Sequence, residues 1–90
     1  MSTRVAVISI IVENDENIDV MNQLLSEYSE YIIGRMGIPY REKKINIISV
    51  AIDAPMDKIN TLTGKLGRLD GISSKTAYSQ IISEVEETDG

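Results

Sequence analysis

Residues 4–12 form an almost unbroken β-branched run in which Val5, Val7 and Ile11 fall on one side and Ile8, Ile10 and Val12 on the other, because side chains alternate across an extended chain. The pattern predicts a first strand that needs cover on both faces. The polar cluster Glu13, Asn14, Asp15, Glu16 and Asn17 follows; it is rich in helix-capping types and sets acidic groups where a helix dipole favours them. Ile18, Met21, Leu25 and Tyr28 then recur at helical spacing, with Val20 and Leu24 widening the stripe and Asn22, Gln23 and Glu27 on the wet side, so a helix packed on one side is expected.

Residues 31–37 read as a second strand, broken by Gly37, Ile38, Pro39 and Tyr40 before the charged group Arg41, Glu42, Lys43 and Lys44. A third strand is expected over residues 45–52, with Ile45 and Ile47 on one face and Ile48, Val50 and Ile52 on the other. Asp53, Ala54 and Pro55 look like a helix start, Asp53 as the cap and Pro55 in the first turn. Met56, Ile59, Leu62, Leu66 and Leu69 supply the stripe of that helix, Gly67 a left-handed stop, and Asp70-Gly71 a turn into a last strand at residues 72–79. Ser73, Ser74, Lys75 and Thr76 make that strand polar, as suits a sheet edge that must not recruit stray strands. One folded domain is thus expected over residues 1–79. An acidic tail, loosely ordered, follows over 80–90, of which Ile81, Ile82 and Val85 could dock as a short helix or strand extension.

The order β, α, β, β, α, β is the split pattern of a ferredoxin-like α+β sandwich, whose crossovers put the first and third strands in the middle of a four-stranded antiparallel sheet. Those are the two strands apolar on both faces. With both helices on one side, the other face of a lone subunit would hold valine and isoleucine in water, so a homo-oligomer, dimer or tetramer, is expected to cover it. The alternatives are that the tail folds back over that face, or that Ser9, Ser49 and Ala51 make it wet enough to stand exposed.

Composition sharpens this picture. Ninety residues make one small domain, 42% hydrophobic and 26% charged, with enough apolar material to fold and little margin as a monomer. All of the few aromatics are tyrosine, leaving a core of isoleucine, valine, leucine and methionine. A net charge of -5 with pI near 4.6 argues against direct binding of nucleic acid, which needs clustered lysine and arginine. The longest apolar run, residues 5–12, falls well short of the ~20 residues of a membrane span, and no signal-like segment precedes it. A cytoplasmic protein, with no membrane contact, is expected.

The absence of histidine and cysteine removes the usual ligands of nickel, zinc and haem, and the usual catalytic base and nucleophile; no cofactor, metal site or catalytic residue is expected. Glu13, Asp15 and Glu16 could meet a hard cation weakly, but a helix start already accounts for them. Gly64-Lys65-Leu66-Gly67 lacks the earlier glycine and the Ser/Thr of a phosphate loop; a small residue for close packing at Gly64 and a stop at Gly67 explain it. Around Gly37, the donors Arg35, Tyr40 and Arg41 could hold a carboxylate or phosphate; equally, the arginine stems could lie on a subunit interface and pair with Glu30 or Glu42.

These segments carry a resemblance. Residues 10–13 (Ile-Ile-Val-Glu), Tyr28 and the stretch Glu30-Tyr31-Ile32-Ile33-Gly34-Arg35-Met36-Gly37-Ile38-Pro39-Tyr40-Arg41, then residues 47–50 and Asp53-Ala54-Pro55 resemble the iron-only hydrogenase system regulator family. Residues 62–67 and Lys75-Thr76 extend the match to about residues 5–78. That family is similar to ACT domains and to the C-terminal sensor domain of the nickel-responsive repressor. The resemblance implies an oligomeric regulatory module, not an enzyme. Beside it, the chain's own residues suggest a small-molecule effector at a subunit boundary, near the Glu13 to Asn17 turn or the Arg35 to Arg41 segment, with Glu13, Asn14, Asp15, Arg35, Gly37, Tyr40 and Arg41 as candidate binding residues. Nickel sensing does not carry over, since its histidine and cysteine ligands are missing, and neither does a DNA-reading element, so action on transcription or maturation would run through a protein partner. The alternatives are a structural adaptor that docks through an open sheet edge or the acidic tail, and a small ferredoxin-like enzyme. An acylphosphatase would need an arginine cradle and a positioned asparagine that the chain does not display.

Overall fold

The order of elements is the one the hydrophobic periods dictate: β1 (Ser2–Val12), α1 (Ile18–Glu27), a 3-10 turn (Ser29–Tyr31), β2 (Ile32–Tyr40), β3 (Ile45–Ala54), α2 (Met56–Leu66) and β4 (Ile72–Glu84). This is a computed structural model, and it describes residues 2–84. The strands make one antiparallel sheet in the order β2-β3-β1-β4, with the doubly apolar strands β1 and β3 in the middle as expected.

Register decides which side chains meet the helices. Ile8 pairs with Val50 and Ile10 with Ile48 across the central pair, and the even positions of β1 and β3, from Ala6 to Val12 and from Ile48 to Ala54, are buried. Met21, Leu24 and Leu25 of α1 and Ile59, Leu62 and Leu66 of α2 close over them in one cluster, each such side chain gaining about 1.5–3 kcal/mol from burial. No polar or charged residue is buried as a whole among the described residues, although Arg4 Nε at the start of β1 is shielded from water without a hydrogen-bond partner, a local desolvation cost. The odd positions form the opposite face, where Val5, Val7, Ile11 and Ile47 remain 38–42% exposed.

Several local expectations give way to the tertiary structure. β2 does not break at Gly37 but runs through Pro39 to Tyr40; it is a sheet edge, where proline's missing N–H costs no ladder bond if it faces outward. Asp53 is not a helix cap: it lies in β3 opposite Val5, and Pro55 takes the cap position with its carbonyl accepting from the N–H groups of Lys58 and Ile59 at 3.0 and 3.2 Å. Gly67 has φ −67°, so it is no left-handed stop. The chain instead turns on through Leu69 until Gly71, which does carry the left-handed conformation at φ 81°. Gly64 has open space where a side chain would point, so close packing does not explain it. Val20, placed on the edge of the α1 stripe, is half exposed. The last strand passes residue 79 and, after an irregularity in which residues 79–81 of β4 stand opposite Val5 alone, pairs Ile82 with Arg4 and Glu84 with Ser2, so the strand-extension option holds for the backbone of 80–84, while Val85 and the rest of the acidic segment lie outside the described residues.

Candidate functional site

Two concavities lie at one end of the sheet, back to back across Pro39 and Asn46. The first, about 500 Å³, is walled by the end of β1 and the β2–β3 hairpin, and it brings together Glu13, Asn14, Asp15, Tyr40 and Arg41. These residues are far apart in sequence; antiparallel pairing makes them neighbours, because Val12 at the end of β1 pairs with Asn46 at the start of β3, and Asn46 with Pro39 of β2.

The acidic wall is held by backbone geometry. The Glu13 N–H donates to the Gly71 carbonyl at 2.7 Å. Asn14 accepts the Glu16 N–H on Oδ1 at 3.1 Å, and Asn17 Nδ2 donates to the Asp70 carbonyl at 3.0 Å. The β1–α1 loop is therefore pinned to the α2–β4 turn, and the side-chain amides that a capping role would have used are spent within and between these loops; Asn17 at the α1 cap makes no side-chain cap bond. Among the described residues no group of three acidic, histidine or cysteine side chains is placed to hold a metal ion.

The opposite wall is the hairpin, whose Lys44 N–H donates to the Arg41 carbonyl at 3.2 Å. Lys44 stands at φ 56°, a region that a non-glycine residue enters at a cost, and it lines the cleft beside Arg41. Two carboxylates, Glu13 and Asp15, thus share one solvent-open cleft with two cations, Arg41 and Lys44, and the Tyr40 hydroxyl. Such a set can hold both ends of a small zwitterion, or an anion against the hairpin wall.

Arg35 and Gly37 do not belong to this cleft. They line the second concavity, between α1 and β2, where Arg35 Nη2 donates to Asn22 Oδ1 at 2.7 Å. The expected partners Glu30 and Glu42 are replaced by this neutral amide. Sequence reasoning also missed Lys44, Pro39 and Asn46, which line the first cleft. The hairpin charge run offered a signal for Lys44; Asn46 could be found only from its register opposite Val12 and Pro39.

With a split βαββαβ topology and clefts built from loop and hairpin residues, the molecule is a ferredoxin-like α+β module. Residues 4–76 match the family model described as "TM1266-like: Iron-only hydrogenase system regulator, putative", and the chain belongs to that family. The solved structure of uncharacterized protein TM1266 from Thermotoga maritima is 34% identical and superimposes with a TM-score of 0.81, over 84% of this chain and 96% of that one. No curated protein matches the chain. The family is named for a regulator of the iron-only hydrogenase system, not for an enzyme. Among the described residues no helix is long and apolar enough to cross a membrane.

Proposed function

We propose that the chain is an oligomeric, ACT-like regulatory module of the iron-only hydrogenase system. In this reading it binds a small effector in the cleft between the end of β1 and the β2–β3 hairpin, and acts on transcription or maturation through a protein partner. The observation that supports it is the meeting of Glu13, Asn14 and Asp15 with Tyr40 and Arg41 around one open space of about 500 Å³, a size within the ~300–1,000 Å³ typical of ligand sites. Family membership supports the regulatory role. Self-association is favoured by the uncovered sheet face, where burial is worth about 25 cal/mol per Å² of apolar surface.

Thermal unfolding in the presence of amino acids, nucleotides and divalent cations tests the effector. A ligand at 100 times its dissociation constant adds about 2.7 kcal/mol, which for a domain this small raises Tm by roughly 11–22 °C. The rise should vanish in Arg41→Gln. A screen without any rise removes the effector from the proposal.

A second reading, an adaptor that docks on another protein without an effector, draws on β2. This edge strand of nine residues exposes Ile33, Met36 and Ile38 by 53–64%, and an exposed strand edge is a template for strand addition.

A further inference from the structure

α1 covers the middle of the sheet and stops short of the edge strand β2, whose residues are almost all exposed. The gap left between them is a second groove of about 310 Å³, at the small end of the range for ligand sites. Its walls are apolar: Val12 and Ile48 come from the central strands and Met21 from α1. Gly37 lies on the β2 side of this groove, and a Cβ there would meet nothing nearer than Ile48 Cγ1 at 4.0 Å, so the missing side chain keeps the space open.

One charge faces this apolar space. Arg35 lines it, and its guanidinium is steadied by a neutral group, the Asn22 amide, at 2.7 Å. A guanidinium carries five N–H donors in a planar fork, so a single bond to an amide leaves capacity for bidentate capture of a carboxylate. No acidic side chain lines the groove, and the remaining polar groups are the amides of Asn22 and Asn46. One cation suits a single negative charge; a phosphate dianion would be left half compensated beside apolar walls.

We propose that the groove between α1 and β2 binds a small monocarboxylic acid with a compact apolar tail, the carboxylate on Arg35 and the tail over Gly37 toward Met21 and Ile48. This site is separate from the hairpin cleft and does not depend on an effector binding there.

Phenylacetate and its uncharged amide, phenylacetamide, are suitable probes for an NMR titration of the full chain. Phenylacetate should give saturable shifts of the Gly37, Ile38 and Asn46 backbone amides and of the Asn22 side-chain amide, and phenylacetamide should bind at least about tenfold more weakly. Arg35→Gln should weaken phenylacetate by about tenfold or more, Gly37→Val should block it by filling the groove, and Arg41→Gln should leave it unchanged. Arg35 is an exposed side chain, so its replacement tests the site without threatening the fold. The proposal is overturned by the absence of saturable shifts at millimolar phenylacetate, by equal binding of the amide, by wild-type binding in both Arg35→Gln and Gly37→Val, or by shifts confined to Glu13, Asn14, Asp15 and Arg41.

Discussion

Asn14 and Gly71 compete for the same space: the Asn14 side-chain amide lies where a Cβ on residue 71 would have to sit, and Gly71 holds φ 81° beneath it. The Gly71 carbonyl also receives the Glu13 N–H, so this contact fixes the acidic wall of the hairpin cleft. Gly71→Ala therefore meets two penalties at once. A left-handed alanine costs roughly 1–2 kcal/mol, and displacing Asn14 adds to it. Urea denaturation should show a loss of about 2–3 kcal/mol, of which Asn14→Ala in the same chain restores the steric part but not the conformational part. Full restoration in the double variant would mean that the backbone at residue 71 is unstrained.

The hairpin stores a smaller strain of the same kind. Lys44 at φ 56° closes the turn and lines the cleft. Lys44→Gly removes a left-handed cost of roughly 1–2 kcal/mol and adds the roughly 0.5–1 kcal/mol by which glycine loosens the unfolded chain, for a net gain of about 0.5–1 kcal/mol. The same variant loses a cation from the cleft, so a ligand held through a carboxylate should bind it more weakly. A stabilised variant with undiminished ligand affinity would separate Lys44 from the site.

Much of the fold was legible because burial here follows period. The alternation in β1 and β3 set Ile8 and Ile10 on one face and Val50 and Ile52 on one face, which the structure shows to be the helix side, and helical spacing set Met21, Leu25, Ile59 and Leu62 in the stripes that meet it; all are buried. Local signals misled where tertiary position overrode them. Pro39 reads as a breaker yet sits in an edge strand, and Asp53 reads as a cap yet β3 continues past it. The cleft was legible as two acidic and basic segments, but its division from the groove that holds Arg35 and Gly37 depends on how far α1 reaches over β2, which no residue spacing encodes.

The α1 and α2 stripes give a direct comparison of the two kinds of position. Leu62 is fully buried and Val20 is 50% exposed, although both sit in apolar stripes of the sequence. Leu62→Ala should cost about 2–5 kcal/mol, a large share of a total stability of order 5–15 kcal/mol. Val20→Ala should change stability by no more than about 0.5 kcal/mol, measured by the same denaturant titration. A large loss at Val20 would reveal that its exposed face is covered in solution by a second molecule.

The open sheet face bears on assembly most directly. Register sets Ile38 beside Ile47 and Ile47 beside Ile11 in one row, while the adjoining row is Met36, Ser49 and Ser9 and the next Gly34, Ala51 and Val7. The branched row Ile38, Ile47 and Ile11 stands beside the small central residues Ser49, Ser9 and Ala51, with Met36 and Val7 toward the sides, and this relief gives a surface onto which a second sheet can pack at about 10 Å. Light scattering of the wild-type chain should then give a mass at least double the 10.0 kDa of one chain. Ile47→Glu sets a charge on a central strand of that face, where it would be desolvated on association, and should return the mass to one chain. Because Ile47 is 40% exposed in the subunit, the variant should keep its far-ultraviolet circular dichroism. A wild-type mass of 10.0 kDa at millimolar concentration would mean that this face tolerates water and that regulation, if it occurs, proceeds in a monomer.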